Sequence, residues 1–293
     1  MDRMTARSTN AAATEKSEKS PEEQLAYFHA RRQLAVTQPL GSLALTNTQL
    51  VESAQPIWGV PGRWAPLPAG ESGLKVIATA EDGIHLDGAL VDGEAIVRGK
   101  DDPNPGDLVF SDTVRGTVIT QAGGGYALRV WDANSEAIQN FGGISTFPYD
   151  AGWVVTAVWE ENPEGTTMGF ERVKDQEGGA AVAPREEVIP GTIRFSRDGV
   201  DYDLAAFKAG RSLQIVFADA TNGDSTYSVG RFLFVAPDPD GTITLDFNRA
   251  ILPPCAFSYA FNCPLPPKQN RFGIPIEAGE KNVLGADGAP LHG

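Results

Sequence analysis

Between Leu213 and Asn248 the chain alternates apolar and polar residues with a period of two, the mark of half-buried strands. SLQIVFAD, TYSVGRFLFV and TITLDFN are three such runs. Asn222-Gly223 lies between the first two and predicts a tight type I′ hairpin, because both central residues of that turn need positive φ. Such a turn sets Asp219 opposite Thr226, Phe217 opposite Ser228 and Ile215 opposite Gly230. The connection APDPDG then sets Arg231 opposite Asp246. Period two sorts Leu213, Ile215, Phe217, Phe232, Phe234, Ile243, Leu245 and Phe247 onto a core face. The other face collects Tyr227, Arg231, Asp246 and Asn248 among Val216, Val229 and Leu233. A one-residue slip would invert the assignment.

The same reading extends along the chain. Residues 1–19 are polar and read as a flexible tail. Ser20-Pro21-Glu22-Glu23 is a helix start: Ser20 caps, Pro21 suits the first turn and Glu23 completes a capping box. A helix is expected over 20–36, anchored by Leu25 and Phe28. LKVIATA, GIHLDGALV, EAIVRG, DLVFSD, GTVITQ and GYALRVWD follow as strands separated by Gly, Asp and Pro, giving an N-terminal β-rich part over 37–145. A C-terminal β domain over 146–281 begins with FPYDAGW and the strand VVTAVWE. A long connection then leads to a hairpin about Asp198-Gly199, pairing Phe195 with Tyr202 and Ile193 with Leu204. Residues 282–293 read as a second tail. Sequential hairpins with one N-terminal helix predict an all-β fold, an antiparallel sandwich or barrel.

Composition narrows the functional classes. A formal charge of −14 argues against nucleic acid and against an anionic membrane as partners. No apolar run reaches the ~18 residues of a membrane-spanning helix, and MDRMTARSTNAAATEKSEKS has no apolar signal core. A cytoplasmic protein with reduced thiols is expected. Oligomeric state is left open.

The candidate chemistry is correspondingly specific. Tyr227, Arg231 and Asn248 are the expected donors of a pocket for a small polar or anionic ligand, with Asp246 orienting Arg231. The alternative for Arg231 and Asp246 is a register-fixing ion pair. Asn270 and Glu280 complete the polar inventory, Glu280 as a candidate acid or base. Cys255 and Cys263 are separated by seven intervening residues inside PPCAFSYAFNCPLPP, a spacing foreign to zinc knuckles and CxxC redox motifs. They read as small buried hydrophobes or as a reactive thiol beside Arg231. No metal and no cofactor are expected: His85 stands alone in its strand, and the Gly-Gly at 178–179 lacks the Lys-Ser/Thr of a phosphate loop. No reaction is legible. A ligand site, a thiol-dependent enzyme and a structural or interaction module are three competing classes.

The run GRFLFVAPDPDGTITLDFNRAILPPCAFSYAFNCPLPPKQNRFGIPIEAGEK, with FPYDAGW before it, resembles the bacterial and archaeal domain-of-unknown-function family sixteen-eighty-four. The resemblance spans roughly 31–281 and departs at GSLAL, where that family has a tryptophan-leucine motif. It implies that the N-terminal helix packs on the β core. It also implies that Arg129 and Asp132, at the end of GYALRVWD, belong with the site residues. It implies no activity.

Overall fold

The computed structural model describes residues 19–121, 124–172 and 185–291. The N-terminal tail lies outside them but for Lys19. Helix α1 (Pro21–Val36) starts as its sequence requires: Ser20 accepts the Glu23 amide, and the Glu23 carboxylate accepts the Ser20 amide. Leu25 and Val36 are its buried residues.

The N-terminal part contains β1 (Leu45–Leu50), β2 (Arg63–Pro66), β3 (Leu74–Ala78), β4 (His85–Leu86), β5 (Ala89–Leu90), β6 (Gly93–Val97), β7 (Leu108–Val109), β8 (Val114–Thr120) and β9 (Tyr126–Asp132). They form a six-stranded sheet in the order β1-β9-β8-β7-β4-β5 and a three-stranded sheet, β2-β3-β6. Trp64, Leu74, Val76 and Val97 from the small sheet meet Leu108, Val118, Leu128 and Val130 from the large one. Each such side chain contributes about 1.5–3 kcal/mol on burial. Alternation leaves Ala127, Arg129 and Trp131 of β9 on the opposite, outer face.

The C-terminal part follows a short helix, α2 (Glu136–Gln139), and contains β10 (Phe141–Thr146), β11 (Val154–Glu161), β12 (Thr167–Phe170), β13 (Arg185–Val188), β14 (Gly191–Arg197), β15 (Val200–Ala209), β16 (Ser212–Phe217), β17 (Arg231–Val235), β18 (Thr242–Asp246) and β19 (Glu280–Gly285). Its main sheet runs β17-β16-β15-β14-β11-β18 and curls until the two edge strands meet through a Pro237–Ile243 bridge, a nearly closed antiparallel barrel. Ile193, Leu204, Ile215, Leu233, Ile243, Leu245 and Phe247 fill it. The all-β architecture and the Asp198-Gly199 hairpin agree with the sequence, Phe195 facing Tyr202 and Ile193 facing Leu204.

Three expectations are corrected. Asn222-Gly223 is not a two-residue turn. Gly223 has φ +79° while Asn222 keeps negative φ, and its amide group bonds Thr226 and the Tyr227 carbonyl, so the connection runs from Ala218 to Gly230. The ladder consequently sets Ile215 opposite Leu233 and Phe217 opposite Arg231. That three-residue shift is odd, so β17 is inverted: Leu233 and Val235 enter the barrel, Phe232 faces outward beneath the proline-rich segment, and Phe234 is exposed. Second, β18 pairs with β11 and not with β17, which removes the Arg231–Asp246 pairing. Third, the C-terminal stretch is no free tail, since β19 reaches Gly285 and pairs with β10. The connection after VVTAVWE also forms a hairpin, β12 with β13, although residues 173–184 within it lie outside the described residues.

Candidate functional site

Arg231 begins β17 inside the barrel, where it is fully buried. Gly230 makes this entry feasible: its φ is +114°, and a Cβ there would stand 2.4 Å from the Phe217 carbonyl. The guanidinium pairs with Asp219 at 2.7 Å, both side chains wholly buried. It also donates to the carbonyls of Ile276 (2.8 Å), Ala278 and Glu280 (3.3 Å), and stands 5.3 Å from the Phe217 ring. Burial works against its charge and Asp219 favours it. This arginine closes one end of the barrel and stitches the 276–280 strap to it.

The other meander candidates are likewise committed internally. Asp246 is partly exposed, pairs with Arg249 at 3.3 Å and caps Asn248. Asn248 is buried and clamps FPYDAGW, donating to the Asp150 carbonyl (2.9 Å) and accepting its amide (2.9 Å). Asn270 stands in for a missing length of strand. The β15–β16 ladder stops at Phe207–Gln214, and beyond it Asn270 accepts from the Ala205 amide and donates to the carbonyls of Ala205 and Val216. Glu280 is buried, holds Arg32 of α1 through two bonds of 2.8 and 3.1 Å and accepts the Leu252 amide. The helix therefore does pack on the β core, fixed by a charge-assisted fork.

Tyr227, Cys255 and Cys263 come together under the proline-rich cover. The Tyr227 hydroxyl donates to the Cys255 carbonyl (3.2 Å), and the Cys255 amide donates to the Cys263 sulfur (3.3 Å). Both thiols are free and buried. The hydrogen bond with Cys255, and then burial, push the Cys263 thiol up, and burial pushes the Tyr227 phenol up. Arg231 is directed to Asp219 and the strap, so the thiol-beside-Arg231 arrangement is not formed. Among the described residues no group of three or more His, Cys, Asp or Glu could hold a metal ion, and no helix is long and apolar enough to cross a membrane.

Arg129 differs from Arg231, whose Nε is also buried without a partner, in having no carboxylate beside it among the described residues. It lies on the outer face of β9, directly opposite Thr48 of β1. The cover crosses this face: Ser258 donates to the Leu45 carbonyl (2.6 Å), and Phe261 packs edge-on against Trp131. The Arg129 guanidinium stands 5.2 Å from the Phe261 ring. Among the described residues no carboxylate pairs with it, and its Nε is buried with no hydrogen-bond partner. Burial works against its charge, with the neighbouring Cys263 acting in the opposite direction. The Thr48 hydroxyl is also buried without a partner. Both residues border a cavity of about 220 Å³ whose other polar walls are Thr120, Gln121, Arg172 and Asn262. Arg172 donates to the Asn262 carbonyl (2.9 Å) and pairs with Glu187 at 3.3 Å. Asp132 does not join Arg129; it caps its own turn by accepting the Asn134 amide. The sequence reading missed Thr48, Arg172 and Asn262, which carry no motif of their own. Asp219 carries no sequence signal as the partner of Arg231, because Asn222-Gly223 predicts a tight turn where the structure has the loop that swings Asp219 inward.

The arrangement is that of an all-β protein whose barrel closes on an internal arginine and whose cover traps a second, uncompensated arginine against a separate sheet. The chain belongs to the family described as protein of unknown function (DUF1684), whose model matches residues 139–281. The solution NMR structure of an uncharacterized protein of Haloarcula marismortui is similar at 34% sequence identity, over 48% of this chain and 77% of that chain, with a TM-score of 0.38. A search of curated proteins gave no match.

Proposed function

We propose that this protein binds a small anion, a carboxylate or phosphate, in the cleft between the outer face of β1-β9-β8 and the Ala260–Asn262 cover. The observation that carries this is Arg129: a partly buried guanidinium with no carboxylate partner among the described residues, in a protein of net charge −14. Burying a cation without a partner is costly, and an anionic ligand in the cavity supplies the missing charge. Thr48, whose hydroxyl is buried without a partner, stands at the same cavity as an additional hydrogen-bonding group, and Arg172, paired with Glu187, borders it. Tyr227, Arg231 and Asn248 are excluded from this role by their internal bonds, so the ligand lies in the cleft and not on the meander.

The test is isothermal titration of the full chain with acetate and inorganic phosphate. At least one should bind, and Arg129→Gln should weaken it tenfold or more without lowering the thermal midpoint. Binding that survives Arg129→Gln unchanged would refute the assignment.

A further inference from the structure

We infer that the anion carries an apolar body: the ligand is an amphipathic carboxylic acid with its head at Arg129. The inference rests on the anion reading above and adds what occupies the rest of the cleft. Arg129 and Ile119 line a second cavity of about 750 Å³ as well as the first. That volume is of the size that drug-sized ligands fill, and a two-carbon acid would leave most of it to water. Its walls include Pro39, Leu40, Pro105, Ile119 and Trp131. Leu40, just beyond α1, is 56% exposed, a large apolar side chain held at a cavity wall instead of in a core. Trp131 has its one donor satisfied by Thr117 at 3.1 Å, so its indole asks no hydrogen bond of a ligand. The charges around this cavity select the same sign as Arg129 does. Lys100 has no ion-pair partner among the described residues, and Arg115 is balanced by Asp107 at 3.3 Å.

A carboxylate at Arg129 with a hydrocarbon chain along Ile119, Trp131 and Leu40 satisfies the cation and the apolar wall together. Each methylene buried there should tighten binding about fourfold.

The experiment titrates the full chain with acetate, octanoate and 1-octanol, read by calorimetry and by tryptophan fluorescence, with Trp131 on the wall. Octanoate should bind at least tenfold tighter than acetate and than octanol. Leu40→Asn, which removes apolar wall without adding charge, should reduce the advantage of octanoate over acetate, and Arg129→Gln should weaken both acids. Equal affinity for acetate and octanoate would overturn the apolar body yet leave the anion site standing. Octanol binding as tightly as octanoate, or no binding of either acid, would overturn this inference, and in the second case the carboxylate reading of Arg129 fails with it.

Discussion

Removing the Asp219 carboxylate should be among the most damaging single changes in the barrel. Its Oδ2 accepts from Arg231 at 2.7 Å, while its Oδ1 accepts the Thr221 amide (2.9 Å), the Thr221 hydroxyl (2.6 Å) and the Ile276 amide (3.2 Å). Asp219→Ala strands a wholly buried guanidinium, and breaking a buried pair in this way costs about 3–5 kcal/mol. The hydroxyl can turn to Thr226, 2.8 Å away, but the two amides lose their partner, which places the loss near the upper end, about 5 kcal/mol. Against a total of roughly 5–15 kcal/mol, that consumes a third or more of the stability. Asp219→Asn keeps one acceptor oxygen but turns an NH₂ toward Arg231, so about 3 kcal/mol should be lost. Urea unfolding followed by tryptophan fluorescence and by far-ultraviolet circular dichroism reads both values. A loss below about 1 kcal/mol for Asp219→Ala, the figure for an exposed pair, would refute the claim that this pair closes the barrel.

Asp246→Ala should lower stability by about 1 kcal/mol or less by the same assay, since its pair with Arg249 is partly exposed and the cap on Asn248 is one bond among several. His29 of α1 should make stability fall in mild acid. Burial lowers its pKa from 6.5, an effect that Arg32 adds to and that Glu280 and the Asn248 backbone oppose. The folded chain therefore favours the neutral ring while the unfolded chain takes up a proton near 6.5. Stability is full above that pH and declines as pH drops below it, levelling once the folded ring is protonated. His29→Gln should flatten that part of the pH profile, and an unchanged slope would show that other groups set it.

What the sequence revealed was local. The α1 capping box and the Asp198-Gly199 hairpin are written in residues three or four positions apart, and both formed as read. Asn222-Gly223 has the same signature, yet the Asn222 side chain has better partners in Thr226 and Tyr227, and these local side-chain bonds outweigh turn propensity. From that one turn the face of β17 was inverted, and with it the surroundings of Arg231. The pairing of β18 with β11 joins segments about 90 residues apart, and no short-range pattern announces it. Asn270 acting as a length of strand is legible only once the gap beside Val216 is seen. Arg129 was marked by the family resemblance, but its lack of a partner is a property of the packed cleft. The Glu280 fork had a fainter signal: Arg32 lies four residues beyond Phe28, on the face of α1 that turns inward.

The fork between Arg32 and Glu280 also has a temporal side. The two residues are 248 positions apart, so on a translating ribosome the arginine emerges roughly 12–50 s before the carboxylate that holds it. During that interval α1, 16 residues long, lacks its anchor, and a lone helix of that length is only marginally stable in water. Glu280 also opens β19, whose partner β10 waits a little over half as long for its own hydrogen bonds. The earliest helix and the last strand are thus fastened in one event, and a nascent chain stalled before residue 280 would hold a barrel with neither its strap nor its helix in place.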